Sequence, residues 1–356
     1  MSDRAELAVE PPASLSAVGL AAEHRILALL DAEIERWRRV EASLVEPIDA
    51  LRRLVLAGGK RLRPAFCHCA YVGAGGTQRD DVVDAGAALE LLHTFALVHD
   101  DVMDGSDRRR SQPAVHRAYI ETHGASGWRG EGRRFGEGAA IIIGDFAFVY
   151  ADQLMAQAPP VARAVFDDLR LELCVGQYLD LLGTATGGRS AAQAHTIEVY
   201  KSGKYTVERP LHLGAALAGR LDDLAAPLSA FGLPLGEAFQ MRDDLLGVFG
   251  DEQVTGKPVG DDLREGKLTP LVAEAAARAD GSGLALLERL GSSDLSAAEI
   301  ESLRDLLVTT GAVAHVESEI ERLVAESLAA LDRAPIAPEA REALADLGTF
   351  VAWRDR

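Results

Sequence analysis

The chain has 356 residues, of which 48% are hydrophobic and only 5% are aromatic. Ala and Leu are abundant, which favours helices over sheets. The 37 basic and 55 acidic side chains leave a formal net charge of −18, so we expect no nucleic-acid partner, because a phosphate backbone would be repelled. The length is within reach of one large all-α domain.

The cysteines and the N-terminal residues indicate the cellular compartment. Cys67, Cys69 and Cys174 form an odd set without the spacing of a metal site, which fits reduced thiols in a cytosol. Residues 1–20 lack the basic start and apolar run of a secretory signal and are predicted to be a flexible lead. No apolar stretch reaches the roughly 18 residues of a membrane-spanning helix. These features predict a cytoplasmic protein with no stable membrane insertion.

Helical periodicity begins at residue 21 and recurs to the end of the chain. Residues 21–57 place apolar side chains such as Ile26 and Leu30 on one face. Residues 82–103 are apolar over most of their circumference, which predicts a central buried helix. Loops rich in Gly and charge are predicted at 126–138 and 250–267. The remaining helices are predicted at 139–155, 161–182, 191–209, 211–220 and 224–248, and beyond residue 267 between breaks at 281–283, 291–293 and 335–338.

No segment has the alternation typical of strands. The Ile141-Ile142-Ile143 run is β-branched, but Gly144-Asp145 and the helical pattern after it favour a buried helix start. The simplest interpretation is one domain over residues 21–356, built as a bundle of about a dozen helices.

Two aspartates one helical turn apart lie at the end of the predicted central helix. Asp100 and Asp104 would face the same side, about 6 Å apart along the axis. This pair suits Mg²⁺, which commonly takes one or two carboxylates and completes its shell with water and substrate phosphate. Asp101 lies about 100° round the helix and is predicted to assist from the side. His93 precedes Asp100 by two turns, so it is a candidate ligand contact.

Basic residues are concentrated near this acidic pair. Arg108-Arg109-Arg110 follows it, and the segment Gly58-Gly59-Lys60-Arg61-Leu62-Arg63-Pro64 precedes it. Arg binds phosphate oxygens in a bidentate manner, and Gly lets the backbone approach an anion closely. Only five of the 37 basic residues are Lys, and all five lie in Gly-rich or acid-adjacent segments: Lys60, Lys201, Lys204, Lys257 and Lys267.

A second acidic pair, Asp243-Asp244, follows Gln240 in the predicted helix at 224–248. Lys201-Ser202 and the segment from Lys257 to Lys267 add further cationic and polar groups. None of these segments matches the Gly-x-x-x-x-Gly-Lys-Ser/Thr loop of nucleotide-binding folds. Carboxylates for a divalent metal and several separated cations predict a site for two diphosphates and Mg²⁺.

In their order along the chain, these segments resemble the trans-isoprenyl diphosphate synthases of the polyprenyl synthetase family, most of all the geranylgeranyl diphosphate synthases. The resemblance extends from Leu51 to Thr269 and includes Gln177 and Asp180. It implies the isoprenoid synthase type I fold, in which helices surround a central apolar cavity, and it implies a homodimer. The implied reaction condenses isopentenyl diphosphate with an allylic diphosphate to give a longer trans-prenyl diphosphate.

The resemblance also implies roles for individual residues. Asp100, Asp104 and Asp243 would bind three Mg²⁺ ions, with Mn²⁺ as an alternative, and together with Lys201 they would carry the catalysis. Isopentenyl diphosphate would be held by Lys60, Arg63, His93 and Arg110. The allylic diphosphate would be held by Arg109, Lys201, Ser202, Gln240, Lys257 and Lys267.

Three positions depart from the family pattern. Ser111 stands where Gly is usual after the Arg pair, and Ser202 stands where Thr is usual. Gly247 stands at the fifth position of the second acidic motif, where Asp is common. We therefore expect the first motif to bind metal through both of its outer aspartates, and the second to bind it mainly through Asp243.

Product length is suggested by the residue five positions before the first Asp, which gates the product tunnel in the family. Here that residue is Phe95, about 7.5 Å from Asp100 along the helix, and the small Ala96 follows it. This pattern is similar to C20 synthases, so geranylgeranyl diphosphate is the predicted product. A farnesyl (C15) or longer-chain polyprenyl product is the alternative.

Two other functions are less favoured. A terpene cyclase shares the helical fold and an Asp-rich motif, but it would not need the segment at 58–64 and would carry an Asn/Asp-x-x-Ser/Thr-x-x-x-Glu triad, which residues 244–249 lack. A non-catalytic regulatory subunit would be expected to have lost metal ligands, whereas Asp100, Asp104 and Asp243 are intact.

Overall fold

A computed structural model of the protein describes residues 12–110, 112–186, 191–250, 260–267, 269–292 and 294–353. Ser111 and Lys257 lie outside these residues, so what the sequence predicts for them stays a prediction. The described part contains sixteen α-helices, one π-helical segment and a two-stranded ribbon. The all-α prediction is confirmed, and the helices outnumber the expected dozen because several are short.

The helices follow one another with short connections. A 3₁₀ turn, Ala42–Leu44, precedes α2, and the π segment, Val199–Glu208, joins α8 to α9. Strands β1 (Arg108–Arg109) and β2 (Gln112–Pro113) pair in antiparallel fashion after α4. The helices are α1 (Ala13–Arg38), α2 (Val45–Leu56), α3 (Leu62–Gly73), α4 (Arg79–Asp104), α5 (Val115–Ala125), α6 (Gly132–Met155), α7 (Pro160–Thr186), α8 (Ala191–Glu198), α9 (Arg209–Leu217), α10 (Leu221–Phe249), α11 (Asp261–Glu265), α12 (Pro270–Arg278), α13 (Gly281–Leu287), α14 (Ala297–Thr309), α15 (Ala312–Leu331) and α16 (Pro338–Trp353).

The first helix begins earlier than the sequence predicted. α1 starts at Ala13, so residues 13–20, which were assigned to a flexible lead, are helical. Leu15 is buried in the same apolar cluster as Leu62 and Phe66 of α3. This tertiary contact stabilises the additional turns of α1. It could not be predicted from the local sequence pattern.

The Gly/Arg-rich loop is shorter than predicted, because α6 already begins at Gly132. Gly136 faces α5, where a Cβ atom would lie 2.4 Å from the backbone oxygen of His116. Glycine at this position therefore permits close helix packing and does not interrupt the helix. The isoleucine run is helical, as predicted, but it lies inside α6 and not at its start, with Ile143 buried and Ile141 and Ile142 exposed.

α4 is the central helix, as the apolar character of residues 82–103 predicted. Leu89, Leu91 and Leu92 are fully buried, and α4 packs against α1, α3 and α6. Elsewhere in the bundle, α10 packs against α15 and the π segment. Because α4 carries the first acidic pair and α10 carries the second, the fold brings Asp100 of the first pair and both residues of the second pair, Asp243 and Asp244, to the walls of one cavity.

Two helices, α4 and α6, are long and apolar enough to cross a membrane by length and composition, contrary to the sequence expectation. Their most apolar windows are 61% and 44% buried, and the two helices pack against each other. Buried core helices also meet this criterion of length and apolar composition. Meeting the criterion is therefore weak evidence for a membrane location.

Candidate active site

A cavity of about 480 Å³ lies between α4, α10 and the π segment. Asp104 does not line the cavity itself, but its carboxylate lies 3.8 Å from Nζ of Lys267, which does. Most of the residues predicted to act on substrate line this one cavity: Lys60, Arg63, His93, Ala96, Asp100, Arg109, Arg110, Lys201, Ser202, Gln240, Asp243 and Lys267.

Asp100 is held by polar groups from two other elements. Its Oδ1 accepts a hydrogen bond of 2.9 Å from Gln177 Nε2 on α7 and one of 3.0 Å from Lys201 Nζ on the π segment. Burial alone would raise the pKa of Asp100, but Lys201, Lys267 and Arg109 outweigh it and hold the pKa well below its usual range. Asp100 is therefore an ionised carboxylate, as a metal ligand must be.

Asp104, the last residue of α4, has a different environment. Gly105 follows in the left-handed conformation at φ 68° and ends the helix. Burial, and then the charge of Asp100, raise the pKa of Asp104 to about 7. Its Oδ2 atom is buried and has no hydrogen-bond partner. Such an oxygen beside an ionised carboxylate is suited to receive a cation.

Asp101, which the sequence predicts to assist the acidic pair from the side, pairs with an arginine in the structure. The β1–β2 ribbon folds back over α4, and Arg109 Nε donates a hydrogen bond of 2.9 Å to Asp101 Oδ1. Asp101 is buried and its carboxylate is fixed by this pair. Asp101 thus positions the Arg109 guanidinium at the cavity wall.

The second acidic pair on α10 is also buried in part. Gln240 Nε2 donates a hydrogen bond of 2.7 Å to Asp244 Oδ1, so this amide is engaged with a carboxylate. Burial, and then the charge of Asp262, raise the pKa of Asp244 to about 8. Asp243 and Asp244 both line the cavity.

The π segment carries Lys201 and Ser202, and its irregular geometry is typical of functional sites. It lies against α7 at Gly176, where a Cβ atom would be 2.4 Å from the backbone nitrogen of Lys201. Besides Asp100, Lys201 pairs with Asp180 of α7. Lys204, for which the sequence suggested no role, donates a hydrogen bond of 2.7 Å to Glu172.

One part of the cavity has an excess of positive charge. Arg61 pairs with Glu90 at 2.7 Å and with Glu23 at 2.9 Å. Arg63 donates a hydrogen bond of 2.9 Å to Thr206 and lies 4.2 Å above the ring of Tyr205.

The excess of positive charge helps to lower the pKa values of Arg110 and His93. Arg110 Nη1 donates to the backbone oxygen of Leu54 at 3.2 Å. Burial and the neighbouring arginines outweigh the attraction of Glu90 and lower the pKa of Arg110 to about 10. Burial, and then four arginines led by Arg63, push the pKa of His93 well below its usual range, so His93 is a neutral imidazole. An anionic ligand would relieve this repulsion.

The acidic part of the cavity fits a hard divalent cation. Its donors are carboxylate oxygens, and one of them, Asp104 Oδ2, has no hydrogen-bond partner, although Lys267 Nζ lies 3.8 Å away. Within the ranges that the structure describes, no three His, Cys, Asp or Glu side chains converge closely enough to hold an ion alone. Further ligands would have to come from substrate and water, as is usual for Mg²⁺.

Phe95 is the predicted chain-length residue, and it lies between α4 and α6. Its ring centroid is 4.9 Å from that of Phe148 on α6 and 4.6 Å from that of His99. Ala96 and Leu97, its neighbours in the chain, line the cavity. Phe95 therefore stands beside the cavity, at the helix interface that closes this side.

The sequence did not single out three carboxylates of the cavity wall, namely Glu90, Glu198 and Asp262. Glu90 is isolated in an apolar helix, Glu198 precedes the Lys201-Ser202 pair, and Asp262 lies within the segment from Lys257 to Lys267, of which only the lysines were considered. Both oxygens of Glu198 are buried without a hydrogen-bond partner, and burial raises its pKa well above the usual range. The one signal that the sequence offered for these three residues was the isolated position of Glu90 in an apolar helix.

The fold and the cavity define an all-α protein that can bind phosphate esters together with a divalent cation. The polyprenyl synthetase family model matches residues 46–307, and the chain belongs to this family. The chain is therefore a prenyltransferase of isoprenoid biosynthesis, which confirms the activity predicted from the sequence.

Relatives and solved structures agree with this assignment. The chain is 34% identical to the short chain isoprenyl diphosphate synthase of Methanothermobacter thermautotrophicus, over 86% of this chain and 90% of that protein. It is 33% identical to the geranylgeranyl diphosphate synthase of Methanosarcina mazei, over 84% and 92% of the two chains. The crystal structure of geranylgeranyl pyrophosphate synthase from Corynebacterium glutamicum, complexed with isoprenyl diphosphate and magnesium, superposes with a TM-score of 0.91 at 35% identity and covers 96% of this chain and 99% of that one.

Proposed function

We propose that this enzyme condenses isopentenyl diphosphate with an allylic diphosphate in the 480 Å³ cavity and that its product is C20 geranylgeranyl diphosphate. The observation that carries the proposal is the unequal distribution of charge within one cavity. The ionised carboxylate of Asp100 and the arginines around Arg110 line the same cavity, and the under-satisfied Asp104 follows Asp100 by one turn of α4. One part suits a diphosphate held through metal, and the other suits a diphosphate held by cations directly.

The allylic diphosphate is assigned to the acidic part. Asp100, Asp104 and Asp243 would hold Mg²⁺, three ions in the family pattern, with Mn²⁺ as a substitute. Lys267 Nζ lies 3.8 Å from Asp104, and it also pairs with Asp262 at 3.3 Å and with Glu265 at 2.6 Å. The groups that would contact diphosphate oxygens are Arg109, Lys201, Ser202, Gln240 and Lys267, together with Lys257, which lies outside the described residues.

Isopentenyl diphosphate is assigned to the cationic part. Lys60, Arg63 and Arg110 would bind its phosphate oxygens, because all three line the cavity and because neighbouring arginines add to burial in lowering the pKa of Arg110. His93 remains neutral there, so it can donate or accept a hydrogen bond without adding to the charge. The two diphosphates would then lie at opposite ends of the cavity, with their hydrocarbon parts between them.

The reaction follows from this arrangement. The allylic C–O bond ionises as pyrophosphate departs, the isopentenyl double bond attacks the allylic cation, and a proton is lost to the departing pyrophosphate. Lys201 and Arg109 stabilise the charge that develops on the leaving group. When bound, Mg²⁺ neutralises part of that charge. Leu97 and Phe239 on the cavity wall help to exclude water from the cation.

A homodimer is proposed through α7. Leu171, Val175, Tyr178 and Leu182 recur at helical spacing on this helix, and all four are exposed. Gln177 and Asp180, on the other side of the same helix, face the cavity. A second copy packed on the apolar stripe would cover it and leave the cavity accessible. The reduced thiols fit a cytoplasmic location.

The test is a product analysis with the purified chain. The enzyme is incubated with Mg²⁺, labelled isopentenyl diphosphate and one of three primers of five, ten or fifteen carbons, and the products are separated by chain length. The proposal predicts a C20 diphosphate from each primer that the enzyme accepts. A C15 or longer main product would contradict the assigned length, and a cyclised product or no condensation would contradict the reaction.

A further inference from the structure

Arg170 on α7 lies against two aromatic rings. Its Cζ atom is 5.1 Å from the ring centroid of Phe148 on α6 and 4.9 Å from that of Phe166, which is one turn earlier on α7. At both distances a guanidinium is attracted to the face of an aromatic ring. The Arg170 side chain is only 16% exposed, so most of it is packed inside the bundle.

Two carboxylates fix the position of the same guanidinium. Asp152 of α6 pairs with Arg170 Nη1 at 3.1 Å, and Asp167 of α7 pairs with Nη2. The side chains of Asp152 and Asp167 are 64% and 57% exposed. Arg170 thus contacts aromatic rings inside the bundle and exposed carboxylates at its surface.

The ring of Phe148 connects Arg170 to the predicted chain-length residue. Phe148 packs on Phe95 with the two ring centroids 4.9 Å apart. Phe95, Phe148 and Arg170 therefore form a continuous row from α4 through α6 to α7. Ala96 follows Phe95 in the chain, Leu173 follows Arg170 by three residues, and both line the cavity. The row of three side chains therefore lies next to the cavity wall.

The row lies away from the groups assigned to the diphosphates. Lys201 contacts both Asp100 of α4 and Asp180 of α7, so these two carboxylates mark one level of the two helices. Phe95 is five residues before Asp100, which corresponds to about 7.5 Å along α4. Arg170 is ten residues before Asp180, which corresponds to about 15 Å along α7. A prenyl chain that grows away from its diphosphate and passes Phe95 would meet Arg170 next.

We propose that Arg170 is a second, charged stop for the growing prenyl chain, placed beyond Phe95. The inference rests on the proposed function, in which Phe95 limits the product to C20. A hydrocarbon in contact with the guanidinium would displace water from it without offering a hydrogen bond. Moving the side chain aside would break its contacts with two rings and two carboxylates. Phe95 thus limits the chain by its volume, and Arg170 limits it by its charge.

The experiment compares product lengths in a background that lacks the first stop. Arg170→Ala, which removes the charge, and Arg170→Lys, which keeps it, are each combined with Phe95→Ala. Arg163→Ala in the same background is the control, because Arg163 is an exposed arginine on the same helix. Labelled products of these double variants, of Phe95→Ala alone and of the wild type are separated by chain length. Thermal unfolding and light scattering of each variant measure its stability and its oligomeric state.

The expected results separate charge from a general effect on the fold. Phe95→Ala/Arg170→Ala should give a main product at least one five-carbon unit longer than that of Phe95→Ala alone. Phe95→Ala/Arg170→Lys should keep the length seen with Phe95→Ala, because a cation still closes this end. The control should keep it as well.

The comparison of Phe95→Ala/Arg170→Ala with Phe95→Ala decides the inference. Equal product lengths in these two proteins would overturn it, whatever Phe95→Ala does on its own, and so would equal lengthening in the Arg163 control. If Arg170→Ala does not fold, Arg170→Met removes the charge but keeps an unbranched side chain, and the same comparison applies to it. A wild type that forms no prenyl diphosphate would instead contradict the proposed function.

Discussion

Lys201 Nζ donates a hydrogen bond of 3.0 Å to Asp100 Oδ1, and so joins the π segment to the C-terminal end of α4. Gln177 donates to the same oxygen at 2.9 Å. A cation and a carboxylate that are both assigned to the allylic diphosphate are therefore already in contact. Such preorganisation lowers the reorganisation needed when the charge on the leaving group develops.

Removing this ammonium should impair catalysis strongly. We expect Lys201→Ala to lower kcat/KM for the allylic substrate by about 100- to 1,000-fold, because a preorganised donor to the leaving group is lost. Lys204→Ala is a matched control, since Lys204 is three residues away in the same π segment and pairs with Glu172. Steady-state kinetics with the allylic diphosphate varied measure both effects. Equal losses in the two variants would show that Lys201 acts only through the fold.

The close contact at Gly176 should be needed to position Lys201. Gly176→Ala would force a Cβ atom to within 2.4 Å of the Lys201 backbone nitrogen. We expect a loss of about 1–3 kcal/mol in the free energy of unfolding, together with reduced turnover at temperatures where the variant is still folded. Denaturant unfolding and kinetics measure the two effects.

Gly124→Ala is the control for this substitution. Gly124 lies in α5, and a Cβ atom there would meet no atom within 4 Å. This change should stabilise the protein by about 0.5–1 kcal/mol, because alanine loses less conformational freedom than glycine when a helix forms. A Gly176→Ala variant as stable and active as Gly124→Ala would contradict the packing argument.

Some of these relationships could be predicted from the sequence and some could not. The helices and the shared face of His93 and Asp100 follow from local periodicity, which spacing reveals. The left-handed conformation of Arg61 at φ 51° and its pairing with Glu90 depend on tertiary contacts. The approach of Asp262 to Gly247 likewise joins two elements that only the fold brings together.

The position of Phe95 was open to a geometric argument from the sequence alone. Five residues along a helix correspond to a rotation of about 140°, so Phe95 cannot share a face with Asp100. His93, Leu97 and Asp100 do share that face and line the cavity. The family pattern names Phe95 as the chain-length residue, and the helical rotation places its ring at the interface with α6.

Arg110 should matter for one substrate only. We expect Arg110→Gln to raise the KM for isopentenyl diphosphate by about 10- to 100-fold, since a charge-assisted contact to phosphate is lost. The KM for the allylic diphosphate should change little, because that diphosphate is assigned to the acidic part. Arg108→Gln is the control, since Arg108 is exposed and adjacent in the chain. Initial rates with each substrate varied in turn would reveal a general loss of affinity if the assignment is incorrect.

The apolar stripe on α7 predicts the oligomeric state. We expect the wild type to be a dimer by light scattering after size exclusion and Val175→Asp to dissociate into monomers, because a charge would be buried without a partner. Val308→Asp on α14 is the control variant, because the two valines are similarly exposed: Val308 is 55% exposed and Val175 is 48% exposed. This control should remain a dimer. Dissociation of both variants, or of neither, would argue against an interface at α7.

Phe95 and Ala96 should change product length in opposite directions. Phe95→Ala removes the ring that packs against Phe148 and opens the α4–α6 interface next to the cavity, so we expect products longer than C20. Ala96→Phe places a ring in the cavity itself, because Ala96 lines its wall, and should shorten the main product. Phe146→Ala is the control for lost aromatic volume, since Phe146 stacks on Tyr150 within α6. Chromatography of labelled products measures all three variants. If Phe95→Ala and Phe146→Ala both keep the wild-type length, the ring of Phe95 does not limit chain growth.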